Sequence, residues 1–306
     1  MVFGAYRLKE YQSQQAFDCN LPAARTERPV VTHKRHPTNR PRTWTLTLAV
    51  LLTATSAFAQ QKPFEPQVGQ AGKDVVWVPS PEETVKKMIE MGEITPQDFV
   101  VDLGSGDGRN VIAAAKRGAQ ALGVEYNPDM VELSKRRAKE AGVSEKAQFV
   151  QGDMYQAEFS KATALVLFLL PSNLLTLRDK FANLRPGTRI VSNTFSIQDW
   201  TPDKTETIGG DCSSWCTVML YIVPAKVDGT WKLPQGELAL KQTYQTFTGT
   251  FTTAGKSTAV TNGKVRGTQI SWSADGQEYA GVLKGNQIEG TTRTGSASTN
   301  WTATKQ

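Results

Sequence analysis

From residue 99 to residue 191 the chain alternates short apolar runs with segments in which apolar positions return every three or four residues. The runs end at Asp102, Glu125 and Asp153, and further ones cover 164–170 and Ile190-Val191. The intervening segments are 109–117 (stopped by Gly118), 128–141 (flanked by Asn127 and Gly142), and a third with Leu174, Leu175, Leu177, Phe181 and Leu184. Runs of this length predict buried strands and the intervening period predicts helices, which together mean a mostly parallel, doubly wound α/β sheet covered on both faces. Thr-Val-Met-Leu-Tyr-Ile-Val at 217–223 has no long helix before it and is expected to pair with 205–208 as an antiparallel edge. Upstream, Ser80 and Glu83 form a capping-box pattern with Pro81 at the first helical position, and Val85, Met88 and Ile89 supply an apolar face. Residues 60–75 are polar, contain Gly and Pro, and are expected to be a flexible arm.

After Gly229 the pattern changes. The last 78 residues hold 16 threonines and 11 glycines, show no helical period, and place hairpin-turn signals at Asn262-Gly263, Asp275-Gly276 and Gly285-Asn286. An apolar-x-Gly unit recurs at Phe247, Val265, Tyr279 and Ile288. These features predict a small antiparallel all-β meander or barrel of five or six strands over 233–306, with Trp272, Tyr279 and Trp301 in its core. A ligand-binding barrel mouth is the alternative role for those rings.

Net charge is +6, yet residues 1–59 carry 8 of the 35 basic and 3 of the 29 acidic side chains, which leaves about +1 for the remainder. Bulk charge therefore does not support a nucleic-acid partner. Residues 1–59 resemble an export leader: basic residues to Arg42, an apolar run at 46–52, then Ala57-Phe58-Ala59 before Gln60. The run is shorter than a bilayer-spanning helix, so export to the periplasm or envelope is expected, and a cytoplasmic location if the leader is not processed. Both histidines, His33 and His36, and one of the three cysteines, Cys19, lie in this leader. A processed chain would lack histidine, which excludes a histidine base, a Ser-His or Cys-His pair and a His-ligated metal. No metal is expected. Cys212 and Cys216 are either a small disulfide or two free thiols.

The chemistry concentrates at Asp102-Leu103-Gly104-Ser105-Gly106-Asp107-Gly108-Arg109. A strand ending in an acid, glycines at every second position and a following helix read as a nucleotide-type turn, but a dinucleotide GxGxxG would need glycine at 109, where arginine stands. Asp107 also disfavours a pyrophosphate. S-adenosylmethionine, with its sulfonium and ammonium, suits acids and close-approaching backbone. Glu125 falls where a doubly wound sheet presents an acid to ribose hydroxyls, and Asp153 where an acceptor for the adenine amino group is needed. The expected cofactor set is Asp102, Gly104, Ser105, Gly106, Gly108, Glu125 and Asp153.

Val78-Pro79-Ser80-Pro81, the glycine motif, Leu169-Leu170-Pro171, Asp199-Trp200 and Tyr221-Ile222-Val223-Pro224 before Gly229-Thr230-Trp231 together resemble seven-strand class I S-adenosylmethionine-dependent methyltransferases. More narrowly, they resemble the protein-lysine methyltransferase group that includes the ATP-synthase c-subunit enzyme and archaeal relatives. The resemblance implies a Rossmann-like methyltransferase domain over 76–232 and a protein lysine as acceptor, membrane-associated proteins included. It also implies an acceptor channel near the end of the fourth strand, with Trp77, Pro171, Asn173, Phe195 and Asp199 as candidates. Lysine methylation requires positioning and desolvation rather than a dedicated base, whereas hydroxyl methylation would need one, such as Asp199. The competing readings are a small-molecule or lipid methyltransferase and a non-catalytic exported module that kept the fold.

Overall fold

The structure is a computed structural model that describes residues 64–210, 212–294 and 297–306. The leader, its expected cleavage site and both histidines lie outside the described residues. Helix α1 (Glu82–Met91) leads into the alternation β1 (Phe99–Leu103), α2 (Arg109–Lys116), β2 (Gln120–Glu125), α3 (Pro128–Glu140) and β3 (Ala147–Gln151). Next come β4 (Ala164–Leu167), α4 (Pro171–Ala182), β5 (Arg189–Asn193), β6 (Lys204–Thr207) and β7 (Thr217–Ile222). These strands form one sheet in the order β3-β2-β1-β4-β5-β7-β6. β1 to β5 run parallel; β7 is antiparallel to β6, as the pattern at 217–223 predicts, and also to β5, which leaves β6 as the outermost strand. Register sets Asp102 beside Gly123 and Val101 beside Leu165, bringing the carboxyl ends of β1, β2 and β4 to one edge.

Several local expectations are corrected. Helix α1 has no side-chain cap: Ser80 is buried, and its hydroxyl accepts a hydrogen bond from Asn193 Nδ2 at 3.1 Å instead. β4 stops at Leu167 rather than 170, because Pro171 opens α4 and holds Leu170 in an extended conformation outside the ladder. The arm expected over 60–75 is a folded strap in its described part. Gly69 N–H donates to Trp77 O and Trp77 N–H to Gln70 O, both at 2.9 Å, and Ala71 bridges Val76 around a tight turn. Arg136 anchors the start of the strap through Phe64 O and Glu65.

The β-rich region is a closed barrel of eight strands, β8 (Gly229–Leu233), β9 (Gly236–Thr243), β10 (Thr246–Thr253), β11 (Lys256–Arg266), β12 (Gln269–Ala274), β13 (Gln277–Lys284), β14 (Gln287–Thr294) and β15 (Ala297–Lys305). The expected boundary at 232/233 moves upstream, since β8 closes the barrel by pairing with β9 and β15. Trp272 stacks on Tyr279 at 5.0 Å and meets Trp301 edge-on at 4.9 Å, so these rings fill the core. Gly290 shows why glycine recurs: a Cβ there would lie 2.5 Å from the Trp301 ring and 2.2 Å from Ala280 O. The described residues form one compact unit. Tyr244 of the β9–β10 turn stacks on Trp200 at 4.9 Å, Gln245 Nε2 donates to Thr201 O, and Ala225 N–H donates to Gly267 O. Among the described residues, no helix is long and apolar enough to cross a membrane, and no cluster of acids, cysteines or histidines could hold a metal ion.

Candidate cofactor and acceptor site

The glycine-rich turn leaves β1 beneath the strap, and a cavity of about 100 Å³ lies between them. Gly104 and Gly106 both line it, with φ of 69° and 55°, a conformation that L side chains rarely adopt. A Cβ on Gly106 would lie 2.8 Å from Trp77 Nε1, so the backbone approaches the strap's end more closely than any other residue type permits. Glu125 ends β2 with both carboxylate oxygens held at 2.9 Å, one by the Gly106 N–H and one by the Asn127 N–H. Each oxygen keeps a second lone pair, and Glu125 lines the cavity, an arrangement that suits a vicinal pair of ribose hydroxyls. Asp153, just past β3, accepts from Tyr155 N–H at 2.8 Å and from Lys73 Nζ at 2.7 Å. The Lys73 hydrogen bond, then that of the Tyr155 N–H, hold the Asp153 carboxyl below the usual carboxylate range.

Gly104, Gly106, Glu125 and Asp153 therefore line one cavity, while the other three expected cofactor residues build it from outside. Asp102 lies buried under the turn, where its carboxyl group accepts from Asn110 Nδ2 at 3.2 Å. Burial drives its carboxyl well above the usual range, and the nearby Glu125 and Asp107 charges add to the rise. Ser105 points its hydroxyl toward Gly123, and Gly108 packs against Phe149 and Ser134. The electrostatic role expected of Asp107 is corrected as well. It faces away from the cavity and is paired with Arg109 at 2.6 Å and with Arg137. Burial raises its carboxyl, but the Arg109 hydrogen bonds and both arginine charges outweigh that and leave it lowered.

Of the acceptor-channel candidates, Trp77 lines the cavity next to Phe168 and Leu169. Phe195 stacks on Phe168 with centroids 6.2 Å apart, which carries the apolar wall outward. Pro171 is exposed at the start of α4; Asn173, two residues on, is buried with its Nδ2 on the Tyr155 hydroxyl at 2.7 Å and its Oδ1 unpartnered. Asp199 is displaced from this group. It is exposed, pairs with Arg178 at 2.9 Å and does not line the cavity, so it is no base for the site. No local pattern marks Lys73, Tyr126, Met130 or Phe168 as part of the lining, because the strap and the β2 and β4 ends meet only in the fold. Trp215, whose ring lies 5.5 Å from Phe168, had a signal in its place between two cysteines.

This strand order, with positive-φ glycines after β1 and acids at the ends of β2 and β3 facing one cavity, defines a class I S-adenosylmethionine-dependent methyltransferase. The residues present fit that cofactor, since a side chain at Gly106 would fill the cradle and Glu125 has paired acceptors free. The ANTKMT methyltransferase domain family matches residues 102–204. A protein-lysine N-methyltransferase of Saccharolobus islandicus is 36% identical over 152 residues, covering 49% of this chain and 94% of that protein. The ATP synthase c-subunit lysine N-methyltransferase of Mus musculus is 40% identical over 128 residues, 42% of this chain, and the match spans 50% of its length. A solved RNA methyltransferase of Salinibacter ruber in complex with S-adenosyl-L-homocysteine is 42% identical, covering 49% of this chain and 96% of that one with a TM-score of 0.46. The chain belongs to the S-adenosylmethionine-dependent methyltransferase family that contains the archaeal protein-lysine enzyme.

Proposed function

We propose that the chain transfers the methyl group of S-adenosylmethionine to the side-chain amine of a lysine on a protein. The observation that carries this reading is the apolar exit of the cavity, where Trp77, Phe168 and Leu169 form the wall and Phe195 continues it. The lysine acceptors named for the archaeal and mouse relatives support the same class here.

Bound cofactor supplies a methyl group on a positively charged sulfur, the electrophile of an in-line displacement. The Gly104–Gly106 backbone, Glu125 and Asp153 would hold it, and the exit walls would align the lysine amine for in-line attack. On the methyl carbon the amine lone pair would form the new C–N bond as the C–S bond breaks, with the bonding electrons passing to sulfur. The amine must first give its proton to water. An ammonium with a pKa of roughly 10.4 loses several units when its charged form is desolvated, so the apolar inner end of the channel, at Leu169, favours the neutral amine that reacts.

We also infer that the working chain is exported, its acceptor a protein of the envelope. The Cys212–Cys216 disulfide supports an oxidising compartment. Incubating the full chain with methyl-labelled cofactor and envelope proteins, then hydrolysing the protein fraction to amino acids, tests the acceptor. Label in methyllysine is expected; label confined to lipid or small molecules contradicts it. The mature N-terminus and the cell fraction that holds it test the location.

A further inference from the structure

Three aromatic rings meet just outside the cavity, each from a different element at the carboxyl edge of the sheet. Phe168 follows β4, Phe195 follows β5, and Trp215 precedes β7. Their centroids are 5.5 to 6.2 Å apart, with Phe168 and Phe195 within 14° of parallel and Trp215 inclined at 52° and 56° to them. The rings thus make a corner rather than a stack. A corner of this kind inside a core would be sealed, as Trp200 is at 2% exposure, yet Trp215 is 37% exposed. The corner opens to solvent on one side and joins the cavity lining through Phe168 on the other.

Trp215 is also held in place at a cost. Its φ is 60°, in the left-handed region that a bulky residue avoids unless its surroundings impose it. The restraints are visible. A disulfide joins Cys212 to Cys216 across the turn, Thr84 Oγ1 donates to Trp215 O at 3.0 Å, and Ile208 N–H donates to Cys216 O at 2.9 Å. The sheet edge holds Cys216 and α1 holds the Trp215 carbonyl, and the disulfide ring presents the indole to the cleft.

We propose that Trp215 is the outer wall of the acceptor cleft, where it takes an aliphatic ammonium together with Phe168 and Phe195, and that the Cys212–Cys216 ring positions it. This rests on the lysine-acceptor reading above. Aromatic faces attract alkylammonium groups, and a methylated ammonium, being weakly hydrated, suits them best. The cleft therefore selects a lysine side chain and its methylated products over neutral acceptors.

The test uses the full chain saturated with S-adenosylhomocysteine and butyltrimethylammonium as the probe, with affinity read by saturation-transfer NMR. Trp215→Ala is expected to weaken binding about tenfold and Trp215→Phe by no more than about threefold. Cys212→Ser with Cys216→Ser, or reduction with a phosphine, is expected to weaken it about threefold with Trp215 present and not at all in the Trp215→Ala chain. Calorimetric affinity for S-adenosylhomocysteine staying within about twofold in every variant shows that the fold and cofactor site are intact. Probe binding that is absent from the unaltered chain, or unchanged in Trp215→Ala, overturns the proposal, as does a disulfide effect that persists without Trp215. Because the probe is not a protein, failure of envelope-protein labelling removes the lysine reading while this measurement still decides the cleft.

Discussion

Lys73 sets its ammonium 2.7 Å from the Asp153 carboxylate, tying the strap to the end of β3 across 80 residues of sequence. The same ammonium lies 5.1 Å from the Tyr126 ring and 5.9 Å from that of Tyr155. The space beneath the strap, about 100 Å³, is well below the roughly 300 Å³ at which small-molecule sites begin, so cofactor entry is expected to displace the strap. An exposed ion pair is weak and screened by solvent, and Lys73→Ala should therefore raise the association rate constant of S-adenosylhomocysteine only modestly, by up to about fivefold. Stopped-flow fluorescence reads it; a slower association would show that Lys73 guides the ligand instead of barring it.

Gly106→Ala combines a left-handed backbone with a contact 2.8 Å from Trp77 Nε1. The backbone term alone costs about 1–2 kcal/mol, which lowers Tm by roughly 2–8 °C in a chain of this size. Gly104→Ala has the same backbone term but a 3.4 Å contact with Leu169, an ordinary distance. It should be the milder of the two in thermal unfolding and in loss of cofactor affinity. Equal effects would mean that closeness to Trp77 does not matter.

The Asp107 carboxyl is buried yet lowered by its two arginines, so its ionised form stabilises the fold. That contribution is fully present above the unfolded carboxylate pKa of about 3.9 and is lost as pH falls through the lower folded value. Asp107→Asn should cost about 2 kcal/mol at neutral pH, with both arginines partly exposed, and the gap to the unaltered chain should narrow only below about pH 4. Urea unfolding from pH 3 to 7 measures the gap. A gap that widens on acidification would mean that the ionised carboxylate destabilises the fold.

Tyr244 of the barrel stacks on Trp200 of the α/β region, and the two regions share further hydrogen bonds. Calorimetric melting should show one transition for the unaltered chain. Tyr244→Ala removes an aromatic pair worth about 0.5–1.5 kcal/mol beyond its buried area and should separate that transition into two. Two transitions at the outset would mean that the barrel melts independently.

What the sequence made legible was local. Apolar period and capping residues such as Asn127, which accepts from Asp129 N–H at 2.9 Å, located the helices and parallel strands of the sheet. Spacing of Gly104 and Gly106, with acids at strand ends, marked the cavity because strand ends in such sheets converge on one edge. What stayed hidden depends on contacts between distant segments. The strap looked like a linker because its partners, Asp153 and Arg136, lie 80 and about 70 residues away. Barrel closure joins Trp231 to Lys305, which no local turn signal reports. Asp102 and Asp107 looked alike as acids in a glycine turn, yet one is buried under the loop and the other is neutralised by arginines. Asp199 looked available as a base, but in the fold Arg178 pairs with it.

One cofactor site with Glu125 as its ribose acceptor is the central claim, and a calorimetric titration of the full chain with S-adenosylhomocysteine, beside Glu125→Ala, tests it most directly. One site per chain is expected, with a Kd on the order of 1–100 µM, weakened in Glu125→Ala by about 10- to 100-fold through loss of hydrogen bonds to a charged acceptor. Absence of binding, or equal affinity in the two chains, would contradict it.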